Sequence, residues 1–149
     1  MSNKGQRNNS LKSSRQRASG NRTKITDRPV LVWGLLVGYC ILVFIGSSIS
    51  HMPRELAKVP DYVLHSIEYF MMGLLANLAF RTRPLSFRIV MAAVIATLFC
   101  ACYAVSDEFH QYFVAGRTAD VRDVRSDVIG AAFAQVVILL LRGLRRPRM

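Results

Sequence analysis

The chain has 149 residues, is 52% hydrophobic and carries a formal net charge of +11. A soluble domain of this size buries one core and spreads mixed charge over its surface, so the pairing points instead to a small integral membrane protein with basic ends. The basic residues gather at the termini and in one short turn, without a basic face interleaved with aromatics, which argues against a nucleic-acid partner.

Residues 1 to 28 are mostly Ser, Asn, Gln, Gly, Lys and Arg. Such a segment buries too little apolar surface to offset the entropy of ordering it, so a disordered basic tail is expected. Four apolar segments follow, at Val30–Ile49, Tyr62–Phe80, Ile89–Val105 and Val124–Leu141. At a rise of about 1.5 Å per residue, each approaches the length that crosses a hydrocarbon core of about 30 Å. The fourth is the least apolar at its start, which places its first turns in the interface or in a cavity. No period-2 pattern suggests strands. The expectation is an all-α bundle of four transmembrane helices over residues 29–143, with a short basic end at 144–149.

Ser48-Ile49-Ser50 offers a small-x-small cleavage pattern after the first span. The apolar run before it exceeds the roughly 7–15 residues of a signal-peptide core, so an uncleaved anchor is expected. Orientation follows from the positive charges. The N-terminal tail holds eight Lys and Arg, the Arg81–Arg88 turn three and the stretch Arg142–Arg148 four; the other two connections hold two and three, beside nearly all the acids. Positive residues stay cytoplasmic, so both termini are expected inside and the acidic connections outside.

The ionisable residues fall into three stripes. Asp61, His65 and Glu68 follow an i, i+4, i+7 spacing, which sets them on one face of the second helix with Tyr69 beside them. If the third helix runs on through the acidic stretch, Asp107, His110 and Gln111 share a face, with Glu108 and Ser106 nearby. In the last helix Asp120, Asp123 and Asp127 share an arc that continues into Ala131 and Ala134, whose small side chains allow close helix approach. Arg122 and Arg125 fall on the far side, where they can snorkel to headgroups. Arg117 lies before that helix as a candidate counter-charge, and Gly116 supplies the turn. Asn77, deeper in the second span, is expected to bond a neighbouring helix.

Ionisable groups near hydrocarbon lose hydration and mark function more often than not. The bland alternatives are a solvated loop between helices and a charge-paired cluster that locks the bundle. Carboxylates with histidines suit metal ligation, general acid–base work or proton relay, and the residues alone do not choose among these. Cys40, Cys100 and Cys102 lie inside apolar segments, and a C-x-C on a helix points its thiols apart, so they read as small buried hydrophobes. There is no H-E-x-x-H, no G-x-S-x-G and no recognised enzyme signature.

Two blocks resemble the VanZ-like family of small bacterial membrane proteins. One is Asp61-Tyr62-Val63-Leu64-His65 with Tyr69 and Gly73. The other is Ser106-Asp107-Glu108-Phe109-His110-Gln111, then Phe113, Gly116-Arg117, Asp120, Asp123 and Gly130. Tyr62 stands where that family usually has lysine, and Asp127 where asparagine is more usual, so this chain is the more acidic. The family takes its name from a protein associated with low-level resistance to the glycopeptide antibiotic teicoplanin. A multi-pass protein of the bacterial inner membrane is expected, with membrane lipids as partners, and the first reading is that it binds or modifies a lipid-linked cell-wall precursor or glycopeptide-related ligand in an outward-facing polar pocket. Asp61, Asp107, Glu108, Asp120 and Asp123 are the expected acceptors or bases, His65 and His110 the proton carriers, and Arg117 an anion anchor. Glu68, Tyr69, Ser106, Gln111 and Asp127 complete the expected lining. Any metal or cofactor is left open, as is a homo-oligomer. A proton- or ion-coupled transporter and a purely structural membrane partner are the competing readings.

Overall fold

The computed structural model describes residues 28–49, 59–82, 85 and 87–144. The N-terminal tail, most of the first connection and the last five residues lie outside the described residues, and with them the expected disorder of the tail. Four helices account for nearly all of the rest: α1 (Pro29–Ser47), α2 (Asp61–Phe80), α3 (Ile89–Gln111) and α4 (Val121–Leu144). Each is long and apolar enough to cross a membrane, and none of the described residues forms a strand. The expected all-α, four-span architecture is the observed one. Its boundaries differ at two places. α3 continues through Ser106–Gln111 instead of ending at Val105, and α4 begins at Val121, three residues earlier than expected. In the α3 extension Asp107 and Gln111 find partners inside the protein, so the helix does not have to stop where the apolar run stops.

Local chemistry fixes the ends. Pro29 opens α1, where a missing N–H costs nothing. Pro60 precedes α2, and Asp61 in the first turn complements the positive end of the helix dipole. Asp120 caps α4, its Oδ1 accepting the Arg122 N–H at 2.8 Å. Gly116, at φ 83°, makes the turn between α3 and α4 in a conformation that suits glycine. At the opposite end of the bundle, Trp33 Nε1 donates to Thr82 Oγ1 at 3.1 Å, tying the start of α1 to the end of α2.

The most extensive contact joins α2 to α4; α3 packs on both, and α1 leans mainly on α2. Small residues make this possible. Ala92, Ala96, Cys100 and Ala104 form one fully buried stripe along α3, facing Tyr69, Met72 and Ala76 of α2. The large aliphatic side chains point the other way: Leu42, Leu98 and Leu140 are all more than half exposed. In a bilayer the solvent is itself apolar, so close packing of small residues, not burial of large ones, holds the helices together. The cysteines follow suit only in part, since Cys100 is buried, Cys40 half-buried and Cys102 on the exposed surface.

The closest approach is at Gly130, whose Cα lies against the Ser66 carbonyl; an added Cβ would overlap backbone atoms of α2. At Gly73 a Cβ would meet the Ala131 backbone at 3.1 Å. Gly130→Ala is therefore expected to force α2 and α4 apart and to cost about 1–3 kcal/mol. The readout is a lowered thermal midpoint and reduced accumulation of the purified protein. Gly34→Ala, at a position with open space around it, is the matched control and should be neutral. Equal stability of the two variants would mean that the α2–α4 contact is looser than described.

Candidate functional site

The ends of all four helices meet at the acidic end of the bundle: the C-termini of α1 and α3 and the N-termini of α2 and α4. Two helix N-termini there favour negative charge, which offsets part of the cost of placing Asp61 and Asp123 in the first turns of α2 and α4. The polar residues divide into two groups, and Tyr69 beside them is fully buried.

The first group lies between α2 and α4. His65 Nδ1 and Asp127 Oδ1 are 3.2 Å apart, and both residues are buried. Asp127 reaches this depth because it lies one turn below Asp123 on the arc facing α2, just before Gly130. Asp61, His65 and Asp123 each offer a ligand atom, all within 4.8 Å of one another. Ser66 and Ser126 bridge the same two helices, the Ser66 hydroxyl donating to the Ser126 carbonyl at 3.1 Å.

The second group lies between α1 and α3. Asp107 Oδ1 accepts the Ser47 hydroxyl at 2.7 Å, and its Oδ2 accepts Gln111 Nε2 at 3.1 Å. His110 stacks on Phe44, ring centroids 4.3 Å apart, and its Nε2 lies 3.0 Å from Ser48 Oγ. The two histidines of the expected proton-carrying pair thus sit on different helix pairs.

Glu108 connects α3 to α4. It is one residue, and so about 100°, round the helix from Asp107, and it faces α4 where Asp107 faces α1. Its Oε2 accepts the Asp120 N–H at 2.8 Å, while its Oε1 is buried without a partner. The Tyr69 hydroxyl is likewise buried and unpartnered. Beside Glu108 a groove of about 440 Å³ opens between α3 and α4, walled by Val105, Phe109, Tyr112 and Val124, with Glu108 and Asp120 in its lining. Phe109, Tyr112 and Phe113 stack edge to face around its rim and are largely exposed, as suits aromatic side chains at a membrane interface.

Three residues of the expected lining make their hydrogen bonds outside the two groups. Glu68 is exposed, and it is its backbone carbonyl that engages α1, accepting the Tyr39 hydroxyl at 3.1 Å. Ser106 is exposed and bonds back to the Tyr103 carbonyl of its own helix. Arg117 donates through Nη2 to the Gly46 carbonyl at the end of α1, at 3.3 Å. Among the described residues the ion pairs within 4 Å are His65–Asp127 and the exposed Arg122–Asp120 contact at 3.8 Å, so Arg117 influences the acidic arc only from a distance. Asp120 also differs from its expected place, since it precedes α4 and caps it.

Sequence reasoning missed Ser47, Ser48 and Gln135. Gln135 bridges α4 to α2, accepting Asn77 Nδ2 at 2.8 Å and donating to the Gly73 carbonyl at 3.0 Å. A lone amide in an apolar helix could have drawn attention, because a polar group in hydrocarbon seeks a partner. The serines at the end of α1 carried no such signal.

A four-helix membrane bundle with carboxylates, imidazole and serine hydroxyls gathered at one end defines a class of small multi-pass membrane protein. The family model described as VanZ/LLP1 matches residues 32–142, which reaches from the first turn of α1 to the last turn of α4. The chain belongs to this VanZ-like family. No curated protein matches it. No solved structure does either.

Proposed function

We propose that the acidic end faces outward from a bacterial inner membrane and binds a lipid-linked or glycopeptide-related ligand of the cell envelope. The observation that carries this reading is the groove beside Glu108. Its walls are apolar and accept an acyl or prenyl chain, while its lining includes two carboxylates, one with a free buried oxygen. An amphiphile whose tail lies along Phe109 and Val124 brings its head to Glu108 and Asp120. Hydroxyl or amine donors on the head would satisfy Glu108 Oε1, whose unmade hydrogen bond otherwise costs free energy in a buried setting. Asp123 and the His65–Asp127 pair lie beyond as acceptors or proton carriers, and Arg117 remains available to an anionic part of the ligand.

The test is lipid mass spectrometry of the full chain purified in native lipid particles. One envelope amphiphile should be enriched over bulk lipid in the wild type. A co-purified lipid population identical to the surrounding membrane would end this reading and favour a structural partner.

The outward orientation has its own test. In a background with the three cysteines replaced by serine, a cysteine at Thr118 should react with an impermeant reagent in intact cells. A cysteine at Arg83, outside the described residues, should not, because the positive charge around that turn holds it inside. Labelling at Arg83 from outside would reverse the assignment.

A further inference from the structure

We propose that Asp61, His65 and Asp123 are the protein ligands of a divalent metal ion of the zinc type, held with at least one position open to an exogenous ligand. The placement of that open position beside the amphiphile's head rests on the function proposed above; the metal site itself does not.

Geometry gives the first argument. The two carboxylate oxygens and the imidazole nitrogen lie within 4.8 Å of one another. In a tetrahedral zinc site with bonds of about 2.0–2.2 Å, ligand atoms are separated by roughly 3.3–3.6 Å, so small rotamer adjustments close the set. Asp61 and His65 are one turn apart on α2, the i, i+4 spacing that brings two helical ligands to one ion. Asp123 comes from α4, and the contact of Gly130 with Ser66 fixes α4 against α2. The third ligand is therefore positioned by the fold and not by a loop.

A second argument lies outside the ligand set. His65 Nδ1 is engaged by Asp127, which is 1% exposed. That is the carboxylate–imidazole arrangement that orients a metal-bound histidine and raises its basicity, with Nε2 not engaged by Asp127. A third is Glu108. It is 6% exposed, its Oε1 has no partner, and its charge acts on both Asp123 and His65. A cation held at Asp123 would relieve the repulsion between that carboxylate and Glu108. Two carboxylates and one imidazole, without thiolate, suit zinc or manganese better than copper(I).

The experiment uses the full chain in detergent, stripped with a chelator and titrated with Zn²⁺ alone, read by elemental analysis and by competition with a chromophoric chelator. Wild type should bind one ion per chain. Asp127→Asn should weaken binding about 10- to 100-fold, as loss of an orienting carboxylate does, and His65→Ala or Asp123→Asn should weaken it further. Asp61→Asn decides the matter if a buried variant fails to accumulate, because Asp61 is exposed at the start of α2. Replacing Cys40, Cys100 and Cys102 with serine should leave binding intact. Wild type that takes up no stoichiometric Zn²⁺, binding unaffected by Asp61→Asn and Asp123→Asn, or binding abolished with the cysteines would each overturn the assignment. Because this titration needs no lipid, its failure leaves the groove reading standing, and loss of lipid enrichment leaves the metal site standing.

Discussion

Asp127→Ala is expected to remove most of the folded protein from the membrane. Asp127 is 1% exposed and its side chain engages His65 at 3.2 Å. Truncating one member of a buried pair leaves the other without a partner, at a cost of about 3–5 kcal/mol. That is a large fraction of the margin of a small protein. Asp127→Asn keeps an acceptor for the imidazole and should accumulate at a level closer to wild type. Quantitative immunoblotting of membranes and thermal unfolding in detergent read both variants. Normal accumulation of Asp127→Ala would show that water replaces the carboxylate and that the pair is not part of the packed interior.

Glu108→Ala and Asp123→Ala should behave in the opposite way, accumulating well but losing the co-purified amphiphile. Glu108 lines the groove and has one buried oxygen without a partner, and Asp123 is only half-buried at the start of α4. A hydrogen bond to a charged group is worth about 1.5–3 kcal/mol, so enrichment should fall roughly ten- to a hundredfold for each. Arg122→Ala is the contrast: its side chain is 89% exposed and touches only the exposed Asp120. It should change neither accumulation nor enrichment by more than about twofold, given the small worth of exposed ion pairs. If Arg122→Ala is as damaging as the acid variants, the groove is not where recognition happens. Asp107 belongs with Asp127 here. It is held by Ser47 and Gln111, so Asp107→Ala should lower accumulation as well as binding.

Seen from sequence, Asp107, Glu108 and Asp123 were equivalent members of converging stripes, and the difference between them arises only in three dimensions. Spacing of i, i+4 sets residues on one face of a helix but does not say which neighbour that face meets. Asp107 and Glu108 are adjacent in the chain yet serve different helices, because one meets the end of α1 and the other the residue that caps α4. Glu68 shares the arc of Asp61 and His65 but falls outside the contact centred on Gly130 and Gly73, and so is exposed. Gln135 gains its role only when the helix carrying Asn77 is laid against it.

By itself the sequence determined the class of the protein. Four apolar runs of bilayer length, with no strand pattern, leave only a helical bundle, because every backbone group in hydrocarbon must be satisfied within its own segment. The VanZ-like blocks around Asp61 and Ser106 identified the family, and the small residues Ala131 and Ala134 marked the face of α4 that packs closest. The tertiary structure decided what those stripes do. It split the polar residues into a group between α2 and α4 and a group between α1 and α3, turned Arg117 toward the end of α1, and drew Asp61, His65 and Asp123 together. Helix pairing depends on how small residues from distant parts of the chain fit against each other, and that fit is a property of two surfaces at once.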